Sequence, residues 1–128
     1  MVNKDTGEVR VNKELVLSPL FTFEDFKKTS FFNGHDGIKA IQLKEKQTID
    51  NRDYFVSFFF RDSKLYAITL MLAEMAISED DELLRKSLHD EILKNDGIKN
   101  GKDYCWGKVV SEYDRRSNSS EIVIIYRH

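Results

Sequence analysis

The chain has 128 residues, 41% of them apolar and 33% charged, with one proline and six glycines, which excludes a disordered chain and fits one folded domain. Twenty basic residues against 22 acidic ones leave a formal charge of -2, so there is no global positive field to hold a nucleic acid. The single cysteine, Cys105, excludes an internal disulfide or a thiolate metal cluster and suits a reducing compartment.

Residues 1–13 are polar and lack the apolar core of a signal peptide. No repeat, low-complexity tract or linker divides the chain, so a single domain over 1–128 is expected. Val9 and Val11, then Leu15 and Leu17, alternate with polar neighbours around Asn12-Lys13, the pattern of a small hairpin. Thr22 precedes Phe23 and Phe26, Asp25 lies three residues after it and Phe21 just before it. This is an N-cap with a capping-box acid and a hydrophobic staple, and it predicts a helix over 23–30.

After the turn-prone residues 33–37, segments 38–46, 54–61 and 65–72 are rich in strand formers. The links between them are too short for a parallel return, which predicts an antiparallel meander. Tyr54, Val56, Phe58 and Phe60 alternate with Phe55 and Phe59, so segment 54–61 is expected to be the central strand, covered on both faces. The stretch 65–73 is far shorter than the roughly 20 residues that span a bilayer, and a soluble, cytoplasmic protein with no membrane contact is expected.

From Asp80 the period changes. Leu84, Leu88 and Ile92 lie four apart, with Leu83 beside them and Arg85, Lys86, Asp90 and Glu91 on other faces, which predicts an amphipathic helix. Ser78 or Asp80 is placed to cap it and Gly97 to end it. Segments 104–113 and 121–127 read as two last strands joined by a polar loop. The sum is an α+β fold: a single antiparallel sheet of about six to seven strands with two α-helices packed against it.

The residues give little for catalysis. His35, beside Asp36 in a glycine-flanked loop, is the best general-base candidate, and it supports an alternative reading as a small enzyme or ligand-binding domain. His89 reads as a surface or boundary residue of the second helix, and terminal His128 as a disordered one. No metal-ligand spacing and no phosphate-cradling glycine loop occurs, so neither a cofactor nor a metal is expected. Cys105 reads as a small buried strand residue rather than a reactive thiol.

The acidic run Glu79-Asp80-Asp81-Glu82, with Glu74 upstream, has two readings: dipole complements at a helix start, or a site for a basic partner surface. Arg115-Arg116 reads as an exposed loop pair. Most of the aromatics belong in the core, whereas Trp106, Tyr104 and Tyr113 are the ones a partner could use. The candidate partner-binding residues are therefore Glu74, Glu79, Asp80, Asp81, Glu82 and Trp106.

Two regions carry a resemblance: Leu17-Ser18-Pro19-Leu20-Phe21-Thr22-Phe23-Glu24-Asp25-Phe26-Lys27-Lys28, and Tyr104-Cys105-Trp106-Gly107 leading to Tyr113-Asp114 and Ile122-Val123-Ile124-Ile125-Tyr126. The pattern resembles small bacterial immunity-type proteins, which neutralise polymorphic or contact-dependent inhibition toxins. The resemblance implies a non-enzymatic inhibitor of a cognate toxin domain, often a nuclease, whose basic substrate-holding residues an acidic surface would complement. The identity of the toxin and the oligomeric state are left open.

Overall fold

The computed structural model describes residues 1–34, 40–74 and 81–128. The N-terminal hairpin pairs β1 (Val9–Arg10) with β2 (Val16–Leu17) as a small separate sheet. Asn12 closes its turn, with its side-chain oxygen accepting the backbone N–H groups of Glu14 and Leu15, both at 3.0 Å, an Asx turn. Val9, Val11, Leu15 and Leu17 are all buried.

Helix α1 (Phe23–Lys27) starts at the expected capping box: Asp25 N–H donates to Thr22 Oγ1 at 3.2 Å and Thr22 N–H to Asp25 Oδ2 at 3.0 Å. It stops short of the predicted end at Ser30. Thr29 directs both its N–H (3.0 Å) and its hydroxyl (2.8 Å) to the carbonyl of Phe26, and such local bonds compete with helix continuation.

Of the predicted strand 38–46 only β3 (Ala40–Gln42) forms among the described residues, and β4 (Gln47–Ile49) lies beyond its expected end; both pair antiparallel to β5 (Arg52–Arg61), which pairs in turn with β6 (Lys64–Leu72). Two-residue turns join β4 to β5 and β5 to β6. Asp50 and Asn51 (φ 50° and 66°) and Asp62 and Ser63 (φ 52° and 66°) are all left-handed, the geometry that matches strand twist in tight hairpins. Helix α2 (Glu82–Asn95) follows, then β7 (Asp103–Tyr104), β8 (Gly107–Asp114) and β9 (Ser119–Tyr126). At its C-terminus Gly97 (φ 74°) donates to the Lys94 carbonyl at 3.1 Å and buried Ile98 to that of Leu93 at 2.9 Å, a Schellman stop on the predicted glycine.

The seven-stranded sheet runs β3-β5-β6-β9-β8-β7, with β4 also on β5, so the described residues form an α+β fold with one main antiparallel sheet and two helices. Its centre is β6 and β9 rather than β5, because β9 returns past α2 to pair with β6. The inward rows Val56–Leu70–Ile122–Ser111 and Phe58–Ile68–Ile124–Val109 are fully or nearly fully buried. The hairpin, α1 and α2 all cover this one face: Phe26 meets Phe58 at 5.5 Å between ring centroids, and Tyr126 Oη donates to the Gly7 carbonyl at 2.6 Å. The outer edge of β8, away from β9, carries a side chain: Asn100 accepts from Ser111 N–H at 3.0 Å and donates to its carbonyl at 3.2 Å.

The expected strand 104–113 is broken by a two-residue turn at Cys105-Trp106, since Tyr104 pairs with Gly107. Gly107 is required there: a Cβ would lie 1.9 Å from the Ile125 carbonyl oxygen. At the turn Cys105 is exposed instead of buried.

Candidate interaction surfaces

The 3.6-residue pattern of α2 placed Leu84, Leu88 and Ile92 inward. The structure rotates the first half of the helix so that Glu82, Arg85 and His89 are buried and Leu84 is not, while Leu88 is half-buried against the core and Ile92 and Leu93 are buried as the second half's apolar contact. Leu83 is 65% and Leu84 43% exposed.

The reason lies in the sheet. Paired residues of β6 and β9 end at Leu70 and Ile122, and beyond them the backbone groups of Leu72 and Ser120 lack strand partners across the gap. The helix provides them. Arg85 Nε donates to the Leu72 carbonyl at 2.9 Å, Leu72 N–H donates to His89 Nε2 at 3.1 Å, and Ser120 N–H donates to Glu82 Oε2 at 2.9 Å. Ser120 Oγ donates to the Glu82 carbonyl at 2.6 Å, and Arg85 Nη1 bonds Glu82 Oε1. Buried backbone groups must be satisfied, and this ion pair does so while neutralising itself.

His89 accepts through Nε2, which puts its proton on Nδ1, and Nδ1 is buried without a hydrogen-bond partner. Burial, seconded by the neighbouring Arg85 charge, pushes its pKa down to about 4. The expected surface histidine is thus a neutral core residue. His128, expected to be disordered, sets its ring Nε2 2.7 Å from the Leu65 carbonyl.

The predicted partner residues scatter. Glu82 is buried, because its carboxylate closes the sheet gap. Asp81 is the exposed residue before α2 and makes no side-chain cap bond. Glu74 is half-exposed and paired to Arg52 at 3.2 Å. Glu79 and Asp80, with Ser78 and the His35 loop, lie outside the described residues.

Trp106 is buried rather than displayed. It stacks on Tyr104 at 5.4 Å, donates Nε1–H to the Lys4 carbonyl at 2.7 Å, and lies so close over Gly7 that a Cβ there would sit 2.6 Å from the indole. Its work is to hold the N-terminal segment. Tyr113 is half-buried with its hydroxyl on Asn118, and Arg115 and Arg116 are exposed as expected.

One surface went unanticipated. The face of the sheet opposite the core, expected to be covered, carries no helix among the described residues: Phe55 is 41% exposed, and Phe59, Met71, Val110, Val123 and Ile125 are half-buried. Its signal in the sequence is the apolar residues of both parities in β5 and β9, a pattern that equally fits strands covered on both faces.

Among the described residues no group of three or more His, Cys, Asp or Glu side chains could hold a metal ion, and no helix is long and apolar enough to cross a membrane. Comparison with protein-family models, with curated proteins and with solved structures gives no match.

Proposed function

We propose that the protein is an immunity-type inhibitor that binds a cognate toxin domain through the outward face of the first half of α2 and occludes its active site or substrate surface. The observation that carries this reading is the inversion of the helix: Glu82, Arg85 and His89 face inward while Leu83 and Leu84 face solvent beside Asp81. Leucines held outward by a polar anchor offer an apolar contact whose truncation leaves the fold alone. Exposed Asp81, with Glu79 and Asp80 before it in the sequence, supplies charge for a basic rim such as a nuclease presents. Such an interface buries about 800 Å² per partner and concentrates its energy in a few desolvated side chains.

The test uses the product of the gene beside this one, as immunity genes typically adjoin their toxins. Leu83→Ala with Leu84→Ala is expected to weaken binding by at least about tenfold and to abolish protection of cells, with melting unchanged. Replacing Glu79 and Asp81 by lysine is expected to slow association, most strongly at low salt. A neighbouring product that this protein neither binds nor neutralises, or full affinity in the leucine variant, overturns the reading.

A further inference from the structure

We propose that the open face of the seven-stranded sheet pairs with the same face of a second copy of this chain, the two strand sets lying antiparallel about a two-fold axis. The axis lies in the interface, across the strands, over the row Ser57–Thr69–Val123–Val110.

The face is apolar at its centre and charged at its ends, with opposite signs. Glu112, Glu121 and Asp114 lie at one end of β8 and β9, and Lys108 and Arg127 at the other, with Arg61 of β5 beside them. Within one copy the acidic end is frustrated. Glu112 and Glu121 are direct partners in the β8–β9 register, where like charges repel. Neither is paired to a cation among the described residues. Burial, seconded by Glu112 and Asp114, raises the Glu121 carboxyl above its usual range. At the other end Lys108 stands opposite Asp103 in the β7–β8 register, and that carboxylate pairs at 3.4 Å with Arg127 rather than with Lys108.

The register shows what relieves this at Glu112, while Glu121 comes over Ile125 of the second copy. Val110 lies two residues from both Lys108 and Glu112 on its strand, so a two-fold axis over its row places Lys108 of one copy on Glu112 of the other, twice. The same operation brings Phe59 over Phe55 of the second copy and small Ala67 under Met71. An isologous interface has to be self-complementary in this way, and aligned sheets pack at about 10 Å with side chains interdigitated. The strands β3, β5, β6, β9 and β8 present a face of about 25 by 27 Å, on the scale of the roughly 800 Å² per partner of a stable complex. Because α2 lies on the opposite face, this association leaves Leu83 and Leu84 free, and it does not depend on the proposed function.

The test is sedimentation of the full chain, with circular dichroism to verify folding. The natural protein is expected to sediment as a dimer of two 15.0 kDa chains, loosening as salt is raised. Lys108→Glu and Glu112→Lys are each expected to weaken the dimer by at least about tenfold by setting like charges opposite one another. Mixing the two variants is expected to restore association, since each new charge then faces its opposite. A monomeric natural protein at about 100 μM, or a mixture that stays monomeric, overturns the proposal. So does a dimer that Leu83→Ala with Leu84→Ala disrupts and the charge variants do not.

Discussion

The two helices attach to the same sheet face by opposite chemistries. Around α1 the seam is aromatic: Phe26 is fully buried, with ring neighbours Phe23, Phe32, Phe58 and Phe60 between 5.5 and 6.1 Å. Around the first half of α2 it is polar, a set of hydrogen bonds from Glu82, Arg85 and His89 to Leu72 and Ser120. A five-residue helix has too few turns to stand by propensity, so α1 depends on the burial of its phenylalanines. The α2 seam gains little net energy from its buried pair but fixes how the helix is rotated, because only one rotation brings all three side chains to the orphaned backbone groups.

That contrast can be broken at either seam. Phe26→Ala is expected to cost about 3–5 kcal/mol in urea denaturation, by lost burial and a residual cavity. Arg85→Ala is expected to cost about 3–5 kcal/mol, because it strands the Glu82 carboxylate in the interior and leaves the Leu72 carbonyl unpaired. Glu82→Leu combined with Arg85→Met removes the stranded carboxylate but leaves both the Leu72 carbonyl and the Ser120 N–H unpaired, so it is expected to recover only part of that loss while loosening the rotation of α2. Fluorescence of a probe at position 84, altered in the double variant but not in Phe26→Ala at equal stability, would register it.

The smallest effect is a pH dependence belonging to the polar seam. Folded His89 takes up a proton only near pH 4, whereas in the unfolded chain it does so near its ordinary value of about 6.5. Between those values the unfolded state binds the extra proton. The histidine's contribution is therefore complete above about pH 6.5 and is lost as pH falls towards 4, with a slope of at most about 1.4 kcal/mol per pH unit. His89→Gln, whose side-chain oxygen can still accept the Leu72 N–H, is expected to remove this slope; its measure is the difference between the two proteins' stability curves from pH 4 to 7.

Local rules found what local chemistry decides. The Thr22–Asp25 box, the Asn12 turn, the stop at Gly97 and the inward row Tyr54, Val56, Phe58 and Phe60 all follow from neighbours in sequence, and the structure contains each of them. The strand count was legible for the same reason. The rotation of α2 was not, since it answers a gap between β6 and β9 whose strands are some fifty residues apart in the chain. Leu84 belongs to the stronger periodic signal, yet a buried unpaired carbonyl or N–H outweighs the exposure of a leucine. The turn at Cys105-Trp106 was hidden because the residues on both sides alternate as one strand would, and only the contact between Gly107 and Ile125 marks the break. Of the six candidate partner residues, Asp81 and Glu74 are exposed or half-exposed while Glu82 and Trp106 are interior, a division set by tertiary hydrogen bonds that no single segment displays.

The amide of Asn100 on Ser111 bears on how this protein avoids growing. A strand as apolar as Ile122-Val123-Ile124-Ile125 lies one place in from β8, and a bare outer edge there would template further strands from other molecules. By offering one acceptor and one donor at strand spacing, Asn100 occupies that edge as a single-residue imitation of a neighbouring strand. Asn100→Ala would therefore uncover two adhesive backbone groups, with slow aggregation rather than unfolding as the symptom.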